Sequence, residues 1–280
     1  MRERSQRFDP RQEMQAETFE VFHYKEPRPE GVEVHHHDFY EVYYLLSGQV
    51  EYWVEGRIIQ MKPGDLLLIN PLELHRPMVG PEHAVYERIV LWIRTEYLAS
   101  LAEDGLLCRC FDPSVPNLIC PSPGERPGIN ARMSDLVREY YSGEFGSQTC
   151  AAGLFLQLMV QLNRMVLKTG ALQQERQVSL LVQKALHYIA DHIAEDLSLD
   201  NIAGACFVSK YHLSHAFSKE VGISVYRYIM LKRLLMARQM LSAGESAGQV
   251  CTDCGFSDYT SFYRAFKAEY GISPGAYSAE

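Results

Sequence analysis

The apolar positions of this 280-residue chain change their period twice. Between residue 19 and about residue 95 they come in short runs rich in Val, Ile, Tyr and Phe: FEVFHY (19–24), EVYYLL (41–46), QVEYWVE (49–55), LLLIN (66–70) and AVYERIVLWI (84–93). Turn residues punctuate them at SG, EG, KPGD and NP. Many short strands at regular spacing predict an antiparallel sandwich or barrel. Residues 96–128 hold Pro113, Pro116, Pro121, Pro123 and Pro127 and read as irregular. Helical spacing then takes over at 129–142 and 148–168. The second of these, with CAAGLFLQLMVQLNRMVLK at its centre, is apolar over more than one face and needs a covering surface. The core of its own chain would serve, and so would the same helix of a second chain; the reading adopted is a homodimer. The polar stretch KTGALQQERQ (168–177) reads as a linker. From residue 178 the chain reads as helical to its end.

The helical third contains an internal repeat. Phe217, Gly222, Ile223 and Ser224 fall 49 residues before Phe266, Gly271, Ile272 and Ser273, and Leu213 falls 49 before Phe262. Ile202 and Ser209 fall 48 before Val250 and Ser257, so the second copy has one extra residue in its turn. Each copy reads as a short helix, a tight turn and a second helix ending at Gly, the helix-turn-helix pattern. Between them VYRYIMLKRLLMARQML (225–241) is one amphipathic helix, about 25 Å long at 1.5 Å per residue. Upstream, SLLVQKALHYIADHI (179–193) is amphipathic, and Ser198 stands where it can cap LDNIAGAC.

Composition narrows the class. At 47% hydrophobic and 22% charged residues the chain is a packed protein rather than a disordered one. No apolar run approaches the roughly 18 residues that span a bilayer, so no membrane partner is expected. MRERSQRFDPRQEMQAE lacks the apolar core of a secretory signal, and a cytoplasmic setting is expected. The seven cysteines form no disulfide framework. Cys251 with Cys254, and Cys108 with Cys110, lack a second pair at zinc-finger spacing and read as inert thiols. The net charge of −8 argues against broad non-specific nucleic-acid binding. It is uneven, however: residues 178–280 hold 9 Lys+Arg against 10 Asp+Glu, and residues 1–177 hold 18 against 25. A specific reader with its few cations on one face remains open.

The repeat, the linker run Arg233-Leu234 with Ala237 and Leu241, and the C-terminal GFSDYTSFYRAFKAEYGISPGAY resemble the AraC/XylS-type transcriptional regulators over about 100 residues. The resemblance implies double-stranded DNA as a partner and the second helix of each unit as its reader. In the first unit Leu213 and Phe217 point to the core. Carried over position by position, Tyr211, Ser214 and His215 are its base-facing set. In the second unit Phe262 and Phe266 point inward, and Thr260, Ser261, Tyr263 and Arg264 face bases. Arg264 has the sharpest chemistry, because a guanidinium can grip guanine O6 and N7 together. Lys210, Lys219 and Lys267 read as phosphate contacts.

The N-terminal part carries a second constellation. HHHDFYEVYYLLSG (35–48) places His35, His37 and Glu41 at odd positions, so one continuous strand would put all three on one face with Tyr43 and Leu45. KPGDLLLINPLELH (62–75) then ends a strand at His75. The pair of segments resembles a cupin, with Gly31 closer to His35 than cupin spacing allows. That resemblance implies a barrel cavity lined by His35, His37, Glu41, Tyr43 and His75. It binds either a small effector without metal or, through His35, His37, Glu41 and His75, a divalent Zn, Ni, Mn or Fe ion. A metal-binding cupin enzyme of dioxygenase or isomerase type, or a metal-responsive regulator, is the alternative reading.

The expected class is α+β and multidomain. A flexible arm (1–18) leads into an antiparallel β barrel of cupin or jelly-roll kind (19–128), followed by a two-helix dimerisation region (129–168). A linker (169–177) then joins an all-α domain with two helix-turn-helix units (178–280). The expected function is an effector-responsive DNA-binding regulator, not an enzyme. The resemblance suggests a sugar as effector and RNA polymerase as a further partner.

Overall fold

The computed structural model describes residues 12–26, 32–79, 86–168 and 175–277. Most of the expected arm, Gly31 and residues 169–174 of the expected linker lie outside the described residues. The chain divides into two compact units, Met1–Arg176 and Gln177–Glu280.

The first unit opens with seven strands: β1 (Phe19–Glu26), β2 (Tyr40–Ser47), β3 (Val50–Val54), β4 (Arg57–Met61), β5 (Leu66–Ile69), β6 (His75–Val79) and β7 (Tyr86–Ile93). A two-residue strand, β8 (Leu118–Ile119), and a three-residue one, β9 (Glu175–Gln177), complete two sheets, ordered β1-β7-β2-β5-β8 and β6-β3-β4-β9. The linker expected at 169–177 therefore ends in a strand. β3 and β4 join through Glu55 and Gly56, both at positive φ (43° and 84°), as a two-residue hairpin loop demands. The sequence reading missed β4 and β6. Pro77 in β6 is tolerated because β6 is an edge strand.

Side-chain alternation divides the core. Tyr43, Leu45, Leu67, Ile69 and Val90 of the larger sheet meet Val50, Tyr52, Val54, Ile59 and Met61 of the smaller one inside the barrel. Val42, Tyr44, Leu66, Leu68, Leu91 and Ile93 face the other way, onto helices. Those are α1 (Thr95–Ser100), α2 (Arg126–Ser142) and α3 (Ser147–Lys168), with a 3-10 segment at Glu103–Phe111. Residues 96–128 are thus less irregular than their prolines suggest.

By length and composition α3 is long and apolar enough to cross a membrane, which the sequence reading did not anticipate. Here one face of it packs into the core of the first unit. Phe155, Leu158, Met159 and Leu162 are fully buried, each contributing about 1.5–3 kcal/mol, and Phe155 stacks on Phe19 at 4.6 Å. Its buried Asn163 donates to the carbonyls of Leu107 and Met159 and accepts from the Cys110 amide, which ties the 3-10 segment to the helix.

The second unit is helical: α4 (Leu180–Asp191), α5 (Leu199–Ala205), α6 (Lys210–Val221), α7 (Val225–Ser242), α8 (Ala247–Asp253), α9 (Tyr259–Tyr270) and α10 (Pro274–Tyr277). Six of these helices start on a side-chain cap: Ser179, Ser198, Ser209, Ser224, Ser246 and Asp258. Each accepts from an amide of the first turn, worth about 1 kcal/mol.

Candidate functional site

In the barrel, β2 begins only at Tyr40, so His35 and His37 are not on a strand continuous with Glu41. His35 instead makes an isolated antiparallel bridge to His75, amide to carbonyl in both directions at 3.1 and 3.0 Å. His75 starts β6 rather than ending β5. Convergence arises all the same. His37, Glu41 and His75 are all buried, and one ligand atom from each lies within 4.8 Å of the other two. His37 Nε2 is 3.6 Å from Glu41 Oε2. His35 stands beside this group, its ring 4.2 Å from that of His75 and 6.4 Å from that of His37.

The hydrogen bonds fix the tautomers. Nδ1 of His35, His37 and His75 each faces a backbone carbonyl, of Glu33, Phe39 and Glu73, at 2.8–2.9 Å. A carbonyl only accepts, so Nδ1 carries the proton and Nε2 of the neutral ring keeps its lone pair. Burial lowers the pKa of His35 to about 4. Burial, then the neighbouring His35 and His37, holds His75 well below the usual imidazole range. Among the described residues, Nε2 of His37, Nε2 of His75 and the Tyr43 hydroxyl are buried without a hydrogen-bond partner.

Two further residues belong to this site. Trp92 lies opposite Glu41 in the β2–β7 register and donates its indole N–H to Glu41 Oε2 at 2.9 Å. Tyr52 meets Tyr43 edge-on at 5.0 Å. Both lie on strands recognised in the sequence, but only the strand register brings them to the site.

The second unit confirms the helix-turn-helix pair. α5 and α6 form the first, α8 and α9 the second, with α7 between them. Leu213, Phe217, Phe262 and Phe266 are fully buried. Lys210, Tyr211, His215, Lys219, Thr260, Ser261, Tyr263, Arg264 and Lys267 are exposed, and Ser214 is half-buried. The extra residue in the second turn is Ser257. Asp258, not Ser257, caps α9 as Ser209 caps α6.

Two members of the predicted set are already engaged. The Ser261 amide and hydroxyl both donate to the Asp258 carboxylate, at 2.8 and 2.7 Å. Lys210 pairs with Asp200 of α5 at 3.2 Å. In the turns, Phe207 and Gly255 occupy matching positions at positive φ, 58° and 75°. A Cβ at Gly255 would meet the Ala194 carbonyl oxygen at 2.8 Å, so only glycine fits there.

Comparison with known proteins agrees with both units. The AraC-like ligand binding domain family matches residues 20–159, and a helix-turn-helix domain family matches residues 202–280. The HTH-type transcriptional activator RhaS of Escherichia coli O157:H7 (strain EC4115) is 24% identical over 251 residues, covering 86% of this chain and 85% of RhaS. The regulatory protein PocR of Salmonella typhimurium is 30% identical over 146 residues, covering 47% of this chain and about half, 48%, of PocR. The C-terminal domain of AraT, a response regulator from Geobacillus stearothermophilus, matches at 29% identity and a TM-score of 0.36, covering 37% of this chain and 88% of that domain. With a ligand-binding-domain match over half the chain and a helix-turn-helix match behind it, this chain belongs to the AraC family of transcriptional regulators.

Proposed function

We propose that the chain is an effector-responsive, sequence-specific regulator that binds double-stranded DNA as a homodimer in the cytoplasm. The observation that carries this reading is the repeated recognition helix. α6 and α9 are each capped at the N-terminus, anchored by two fully buried apolar side chains and polar on the opposite face. Tyr211, Ser214 and His215 read bases from the first helix. Thr260, Tyr263 and Arg264 do so from the second, with Ser261 held by its cap. Lys210, Lys219 and Lys267 contact phosphates.

The barrel senses the effector. His35, His37, Glu41, Tyr43 and His75 line the sensing region, and the unpartnered Tyr43 hydroxyl supports an oxygen-bearing effector such as a sugar. The effector regulates by binding one conformation of the chain better than another, and bound regulator then affects RNA polymerase at the promoter. The relatives that match are transcriptional regulators, which are not enzymes.

The test is selection of duplexes from a random pool by the full-length chain at low salt, followed by titration of the winners. Recovery of one motif, with affinity falling steeply as salt rises, is the expected result. Recovery of no motif would refute sequence-specific binding.

A further inference from the structure

We propose that His37 Nε2, His75 Nε2 and the Glu41 carboxylate hold a divalent first-row transition metal ion, with Trp92 as positioning residue for the carboxylate and His35 outside the coordination set. The inference deepens the reading of the barrel as the sensing domain: the sensor would be metal-loaded.

Four observations carry it. The first is space. The three ligand atoms lie within 4.8 Å of one another. A metal needs only about 2.0–2.2 Å to each donor, which at the tetrahedral angle sets donors about 3.4 Å apart. The pair His37–Glu41, at 3.6 Å, already has nearly that span.

The second is donor state. Both histidines direct Nδ1–H to a backbone carbonyl, the outer-shell bond that metal-binding imidazoles make, which leaves Nε2 as the coordinating nitrogen of the neutral ring. The third is the cost of leaving those atoms alone. Nε2 of both rings is buried without a hydrogen-bond partner among the described residues, and a buried polar atom in that state is costly to the fold. A cation satisfies both at once and offsets the charge of Glu41. The fourth is the carboxylate's own support: Trp92 Nε1–H donates to Glu41 Oε2, the oxygen that faces His37 Nε2, and so holds the carboxylate turned toward the imidazoles.

Two imidazoles and one carboxylate suit Fe, Mn, Ni or Zn rather than Mg or Ca. Three protein donors leave coordination positions open, and Tyr43 is the next inward-facing residue after Glu41 along β2. An effector carrying oxygen donors would bind there with help from the Tyr43 hydroxyl.

The test uses the full-length chain without an affinity tag, stripped with a chelator and titrated with Co2+, whose visible d–d bands report coordination. One ion per chain is expected, displaced by Zn2+. Trp92→Phe should weaken Co2+ binding by about 10–100-fold, the usual effect of losing an outer-shell partner. His75→Ala and Glu41→Gln should abolish the bands, and His35→Ala should leave them in place. Circular dichroism of each variant establishes that it is folded.

Uptake by the wild type below about a tenth of an ion per chain would overturn the proposal. So would bands that survive both His75→Ala and Glu41→Gln, which would put the ion elsewhere, or bands lost in a folded His35→Ala. DNA binding is followed in the same samples. Its failure in wild-type protein would refute the regulator reading and leave the metal result standing.

Discussion

Asp200→Asn should strengthen DNA binding, and the gain should depend on salt. Lys210 is the first residue of the recognition helix α6, yet its ammonium sits 3.2 Å from the Asp200 carboxylate. Both side chains are substantially exposed, 45% for Lys210 and 70% for Asp200, so the pair itself stabilises the fold by only about 0–1 kcal/mol. Asp200 also lies in the first turn of α5, where an acidic residue adds about 0.3–1 kcal/mol through the helix dipole. The substitution is therefore tolerable for folding. If α6 meets DNA as proposed, the substitution has two effects of one sign: it removes a negative charge from beside Lys210 and releases the ammonium for a phosphate.

Each phosphate neutralised steepens the plot of log affinity against log salt by about 0.9. A contact worth nothing at 1 M salt is thus worth about eightfold, or about 1.2 kcal/mol, at 0.1 M. The assay is fluorescence anisotropy of a labelled selected duplex across a salt series, for wild type, Asp200→Asn, Lys210→Ala and the double variant. The single Asp200 variant should gain about eightfold at 0.1 M with a steeper slope, and the gain should vanish in the double variant. An unchanged slope, or an equal gain without Lys210, would refute the assignment of Lys210 to phosphate.

Other outcomes test other parts of the structure. Arg264→Ala should cost about 1–3 kcal/mol on the best site and relax preference at one base pair; uniform weakening on every duplex would make Arg264 a phosphate contact. Gly255→Ala combines left-handed strain of about 1–2 kcal/mol with overlap on the Ala194 carbonyl. It should lower the melting temperature of the C-terminal unit, while Phe207→Gly should not; equal effects would refute the steric argument. Asn163→Ala takes the side-chain acceptor from the buried Cys110 amide, at about 1–3 kcal/mol, and leaves the Leu107 carbonyl only its weaker thiol donor; thermal unfolding of the N-terminal unit measures the loss. Sedimentation of the full chain should show a dimer that Leu156→Glu with Leu167→Glu converts to monomer, because both leucines are exposed on α3; a wild-type monomer at high concentration would refute dimerisation through this helix.

What could be read from the sequence tracks how local each signal is. Helix starts in the second unit were legible because a cap is a short-range device: Ser198 accepts from the amide three residues on, and the repeat copies the arrangement about 49 residues later. The turn was less so. Matching Ser209 to Ser257 by residue type was reasonable, but an aspartate caps as well as a serine, and the structure places the extra residue one position earlier. In the barrel the limit is sharper. Strand parity placed Glu41, Tyr43 and Leu45 on one face, since the strand β2 does run through them. It could not place His35 and His37, which precede the strand. His37 reaches the site through its Phe39 carbonyl contact and ring stacking, and His75 through a bridge to His35 across 40 residues of chain. Trp92 reaches Glu41 only because β2 and β7 pair in that register. The recognition surface is therefore set by residues within a helical turn of one another. The barrel site depends instead on two separate long-range pairings, β2 with β7 and His35 with His75. A change that shifts the first of them by a single residue would turn Glu41 or Trp92 to the opposite face. It would dismantle the sensing region while leaving the capped helices of the DNA-binding unit intact.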